Sequence, residues 1–144
     1  MYAVLADILD QIDEATLIAL SDDELNGAVD ATVVERALTN AGALIDVHCG
    51  DRYTVPFAAP VPDLIRLFAV DLAIYNLYSR RPHIEMPESI GERQKQVLVY
   101  LRRVQEGKAG IGIAPSTAAS GDESNSALVS GNERIFTRKT MRGL

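Results

Sequence analysis

Residues 62–79 read PDLIRLFAVDLAIYNLYS, and the way this stretch must be buried decides the fold. Its interior polar residues Arg66, Asp71 and Asn76 project in three different directions on a helical wheel. The helix is therefore apolar nearly all round, which is the pattern of a helix surrounded by protein. Pro62 stands at its start, where proline is tolerated because the first amides of a helix have no intrahelical partner.

A buried central helix needs neighbours, and the sequence supplies them on both sides. Upstream, Asp30 is placed to cap a long helix reaching about Gly50. There Val34, Ala37, Leu38, Ala41, Leu44, Ile45, His48 and Cys49 form one stripe, with Glu35, Arg36, Thr39 and Asp46 outside it. Between the two helices, DRYTVPFAAPVPD (51–63) carries prolines at 56, 60 and 62, which forbid a continued helix and favour an extended loop. Downstream, RRPHIEMPES (80–89) breaks the chain. A last helix is expected over 88–106, with Ile90, Val97, Leu101 and Val104 inward and Gly107 as its C′ residue. At the front, Leu5, Ile8, Leu9 and Ile12 have helical spacing, and Asp13 can cap a second short helix carrying Leu17, Ile18 and Leu20. The expected fold class is all-α: a bundle of four to five helices over residues 1–107.

Beyond the bundle the composition changes. Residues 108–131 (KAGIGIAPSTAASGDESNSALVSG) are rich in Gly, Ser and Ala and read as a flexible linker. Residues 132–144 (NERIFTRKTMRGL) read as an extended docking arm. Residues 1–106 carry 9 basic and 17 acidic side chains, a net of −8, whereas 107–144 carry 5 and 3, a net of +2. The body should repel nucleic acid, and the tail should seek an acidic surface, another copy's body included. Extended, the tail alternates Ile135, Thr137 and Lys139 with Phe136 and Arg138, a pattern suited to a short β-segment anchored on a partner by Ile135 and Phe136.

Sites for chemistry are sparse. The sequence contains no phosphate-binding loop, and the glycines of AGIGIA have no following helix to aim amides at an anion. Adjacent helical residues diverge by about 100°, so His48 and Cys49 make a poor nucleophile pair and His48 reads as a core or interface residue. One cysteine and two histidines give no metal spacing, and the acidic clusters DQIDE and SDDEL lack the alternation of a calcium loop. No catalytic residue, cofactor or metal is expected. The single cysteine fits a reducing compartment, no apolar run is long enough to span a membrane, and the N-terminal stretch lacks the basic region of a signal peptide. Asp71 is the exception to the bland core: a buried carboxylate needs a cation or a proton. Arg52, at the end of the preceding long helix, is the expected structural partner.

Several segments in order carry a resemblance: MYAVLADILDQI, DRYTVPF…VPDLIRLFAVDLAIYNLY, LRRVQEGKAGIGI and ERIFTRKTMRGL. Together they resemble the head–tail connector, or head-completion, adaptor proteins of Mu-like tailed phages and prophages. The resemblance implies an all-α virion protein at the head–tail junction, present in the host cytoplasm during assembly. It implies a homo-oligomeric ring of twelve copies between the portal protein and a tail-side connector or terminator protein, with genomic DNA passing through unbound. It implies a portal-docking arm comprising Arg134, Ile135, Phe136, Arg138, Lys139, Met141, Arg142 and Leu144. Residues 114–130 (APSTAASGDESNSALVS) carry no recognisable signal of that family. Asp10, Asp13, Asp22, Asp23 and Glu24 are candidate acids for a DNA-repelling lumen. The reading from another class is a small nucleic-acid-binding or regulatory module that uses the basic tail; a helical enzyme is a third.

Overall fold

The computed structural model describes residues 1–116. Among them are five helices and no strand: α1 (Leu5–Leu9), α2 (Glu14–Ser21), α3 (Ala31–Cys49), α4 (Asp63–Ser79) and α5 (Glu88–Gln105). The all-α bundle is as expected. Helix α4 packs against both α3 and α5, α3 also meets α5, and the short α1 and α2 lie against α3 and α4. From Phe68 to Ile74 every residue of α4 is buried. Its exposed residues are Asp63, Arg66 and Leu67 near the start, Leu67 at 47%, and Ser79 at the end.

The helix boundaries follow local chemistry. The Asp13 carboxylate accepts from the Thr16 amide at 3.0 Å and so caps α2. The Asp30 carboxylate accepts from the amides of Thr32 and Val33 at 2.9 and 3.3 Å and caps α3. These contacts satisfy donors that the first turn leaves without intrahelical partners. Pro62 and Pro87 precede α4 and α5. Gly107 ends α5 with φ +78, the left-handed conformation in which glycine carries no Cβ penalty. The stripe of α3 is buried as expected except that Leu44 is exposed and His48 only partly buried, while Gly42 lies inside, under the ring of Tyr2.

The loops supply core residues that helical periodicity does not mark. Tyr2 stacks on Phe57 with centroids 5.5 Å apart, and Phe57 meets Tyr53 at 6.3 Å. The Tyr2 hydroxyl donates to the Asp46 carboxylate and accepts from the Phe57 amide at 3.1 Å. Burial, and the hydrogen bond to the Asp46 carboxylate, push the Tyr2 phenol above its ordinary pKa, so it remains a donor. One ring thus joins the N-terminal segment, α3 and the proline loop.

The expected linker starts too early. Tyr100 donates to the Gly110 carbonyl at 2.8 Å, Ile111 is 1% exposed, and the Ser116 amide donates to the Arg52 carbonyl at 2.9 Å. Residues 108–116 therefore belong to the body. Two isoleucines in a glycine-rich run have no helical period to mark the buried one, but burying Ile111 is worth about 2 kcal/mol.

Replacing Tyr2 by Phe should lower stability by about 1–3 kcal/mol, because it strips the buried Phe57 amide of its acceptor while keeping the ring. Urea unfolding followed by circular dichroism measures this, with an unchanged helical spectrum for the folded variant.

Candidate functional site

Asp71 points from α4 towards α5 and is 8% exposed. Its cation is Arg93, not Arg52: Arg93 Nη1 lies 3.1 Å from Asp71 Oδ1 and also donates to Gln11 Oε1 at 2.5 Å. Arg93 sits on α5, where its long stem can lie along the bundle while its head reaches the carboxylate from the half-exposed edge. Arg52 does different work. Its Nη1 donates to the Val104 carbonyl at 3.3 Å, and its guanidinium covers Gly107, where a Cβ would come within 3.4 Å of Nη1. It therefore engages the C-terminal carbonyls of α5, a position that favours a cation.

Burial raises the Asp71 pKa, and the nearby Arg93 charge offsets only part of that rise. The folded state therefore holds a proton on Asp71 more readily than the unfolded chain does. Stability from this group is full below the unfolded value and falls as pH rises through the folded value.

Asp71 and Arg93 form one end of a groove of about 400 Å³ between α4 and α5, lined also by Leu64, Leu67, Phe68, Gln96, Val97 and Tyr100. Leu64 and Tyr100 are shared with a neighbouring hollow of about 600 Å³ that runs along Pro60–Pro62 and Gly110–Ile113. The two form one open, largely apolar trough with an ion pair at its end. Phe68 and Tyr100 make an edge contact in its floor, with centroids 5.3 Å apart. The lining suits an apolar or aromatic anchor followed by a polar group.

At the opposite end of α4, the acidic segment after α2 is a built loop. The Asp22 carboxylate accepts from the amides of Asn26 and Gly27 at 3.0 and 2.7 Å. Asp23 bridges Arg80 and Arg81, each at 2.5 Å. Arg80 also donates to the Leu20 carbonyl and Arg81 to the Asp22 carbonyl, both at 2.8 Å. Hydrogen bonds hold both carboxyls below their ordinary pKa, from the Asn26 amide foremost for Asp22 and from Arg80 for Asp23. The acids proposed for a lumen are thus partly committed elsewhere: Asp13 caps α2, Asp22 folds its loop and Asp23 is ion-paired. Arg80 and Arg81 are likewise no free basic patch.

Cys49 and His48, adjacent in sequence, have separate surroundings. Cys49 is fully buried, and burial, followed by the Asp46 charge, pushes its thiol up to about 11, far from a thiolate. His48 turns away, with Nδ1 2.9 Å from Gln105 Oε1. No group of three or more His, Cys, Asp or Glu side chains could hold a metal ion among these residues. No described helix is long and apolar enough to cross a membrane. The arm residues Arg134, Ile135, Phe136, Arg138, Lys139, Met141, Arg142 and Leu144 lie outside the described residues. The α4–α5 trough is what sequence reading missed. Its signal was present in Leu64 and Leu67, apolar residues on the exposed first turns of a helix otherwise wrapped by protein.

Replacing Asp71 by Asn should leave stability at pH 7 unchanged within about 1 kcal/mol or raise it, since a strained charge is removed from an isosteric side chain. Any advantage over the parent should vanish towards pH 4, where the parent carboxyl takes up its proton. Arg93→Ala should cost about 1–3 kcal/mol at pH 7 and less in acid. Paired urea titrations at the two pH values give all four numbers.

The protein called Gene product J of Escherichia phage Mu is 29% identical over 114 residues, covering 79% of this chain and 77% of that protein. The family described as Bacteriophage Mu, Gp36 matches along residues 2–129, from the Tyr2 anchor through all five helices and past the last described residue. The chain belongs to this bacteriophage Mu Gp36 family.

Proposed function

We propose that the chain is a non-enzymatic structural adaptor of the virion, a head–tail connector that forms a ring beneath the portal protein and leaves a channel for DNA. The observation that carries this reading is the match to a bacteriophage Mu family along residues 2–129, which is most of the chain. The physical features agree with it. The body is a small helical block whose core is built from α4 outward, with apolar and charged surface features at its two ends. A net of −8 on residues 1–106, repeated around a ring, repels the phosphate backbone and lets DNA slide.

The tail is the portal contact in this proposal. Arg134, Arg138, Lys139 and Arg142 give it positive charge, and Ile135, Phe136, Met141 and Leu144 give it anchors. Several arms on one portal would bind with avidity from individually weak contacts. The twelve-fold count and a tail-side connector or terminator partner come with the resemblance and belong to the proposal.

Deleting residues 132–144 should abolish portal binding in a pull-down or light-scattering titration while the helical circular dichroism and the melting temperature stay within error. Phe136→Ala should weaken the same binding by about tenfold, as expected for a truncated aromatic anchor. Binding to duplex DNA with a steep salt dependence, lost on the same deletion, would instead establish the nucleic-acid module.

A further inference from the structure

Leu25 is the most exposed large apolar residue of the described chain, at 91%, and its φ of +59 is left-handed. A leucine in that conformation is strained by roughly 1–2 kcal/mol, where Asn or Gly would not be. Nothing among the described residues covers it. Its loop is nevertheless held in place from both sides, by Asp22 on the Asn26 and Gly27 amides and by Asp23 on Arg80 and Arg81. The fold thus presents an apolar knob on a fixed mount, with Glu24 exposed beside it.

A matching socket lies on the same molecule but out of its own reach. The α4–α5 trough exposes Leu67 at 47% and is walled by Leu64, Phe68 and Tyr100. On α5 the Arg93 side chain, 39% exposed, lines the trough, and the exposed Arg103 lies one turn beyond Tyr100 on the same face of the helix. Asp63 sits on the other wall, at the α4 N-terminus. The mount of the knob is at Arg80, one residue past the end of α4, and the socket is at Leu67. Thirteen residues of helix separate them by roughly 20 Å. The two patches cannot meet within one chain, and they differ from each other, which is the condition for a head-to-tail contact.

We propose that Leu25 of one copy seats in the Leu64–Leu67–Phe68–Tyr100 trough of the next, with Glu24 facing the cationic α5 rim. The occupant is a second copy of this chain because the acidic knob complements the Arg93–Arg103 rim and because knob and socket stand at opposite ends of α4. This deepens the ring reading and rests on it: the contact is the repeating joint of the ring, independent of the arm that grips the portal.

The test is disulfide trapping with the full chain, alone at high concentration and assembled on the portal protein of its own phage. Chains carrying Leu25→Cys mixed with chains carrying Leu67→Cys should cross-link on oxidation, and the double variant should give a ladder. Val99→Cys, 57% exposed and on the opposite side of α5 from the core, should not react with Leu25→Cys. Leu25→Asn should keep or raise the melting temperature, since Asn tolerates the left-handed backbone, yet weaken self-association by about tenfold or more. Multi-copy assembly with no 25–67 cross-link, or with equal trapping at Val99, overturns the contact and leaves the ring standing. Loss of association on deleting 132–144, with Leu25→Asn behaving like the parent, means that the trough holds the tail and also overturns it. Single copies only, both free and on the portal, bring down the ring reading and the contact together.

Discussion

Seven consecutive residues of α4, Phe68 to Ile74, have no face towards solvent, and that requirement organises everything else in the body. A helix that must be covered all round cannot be served by two flanking helices alone in a chain this short. Helices α3 and α5 cover most of it, α1 and α2 lie across what remains, and loop residues close the shell. This is why Tyr2, Tyr53, Phe57 and Ile111, none of them in a helix, are all buried. It is also why the one acid in the run, Asp71, keeps company with an arginine: the position is set by burial, and Arg93 softens a cost that desolvation still dominates.

The helices were legible because each signal is local. Caps at Asp13 and Asp30, the prolines before α4 and α5, the glycine after α5 and the 3.6-residue stripes all act within a few residues of where they are read. Contacts between elements were not legible in the same way. Arg52 looked like the partner of Asp71 because it ends the preceding helix, but helix ends do not specify which face meets which. Arg93 stands 22 residues from Asp71, on the strongly amphipathic α5, where an arginine ordinarily reads as solvent-facing. Tyr2 was visible only as part of a resemblance, since a lone tyrosine ahead of a five-residue helix has no period. Leu25 carried no signal either: an exposed leucine is ordinary, and its left-handed backbone can be seen only in three dimensions.

The electrostatics of the body divide into committed and uncommitted charge. Asp13, Asp22, Asp23, Asp71, Arg80, Arg81 and Arg93 all have partners within the body. Because the committed acids and bases nearly cancel, a net of −8 over residues 1–106 resides mostly on side chains such as Asp10, Glu24, Glu35 and Asp63. In the proposed ring, a lumen that repels DNA would not need a designed acidic wall. A subunit with that surplus, repeated many times at close spacing, produces the field whichever face turns inward, and salt would shorten its reach.

A strained, exposed leucine and an open apolar trough are both costs to a free subunit: one stores backbone strain, the other leaves apolar area in water. A fold selected for stability alone would replace Leu25 with Asn or Gly and fill the trough with a longer side chain. Keeping both makes sense where the unfavourable surfaces disappear on assembly, since covering them then contributes to the joint. Each such joint would be small, a single side chain with one flanking charge, and a small joint has a use. A ring built on a template must be able to correct a misplaced subunit before it closes, so weak contacts that become strong only in number suit it better than one tight interface. In the proposed ring the knob and trough would set the spacing between neighbours, and the basic arm would keep each copy near the template while they do so.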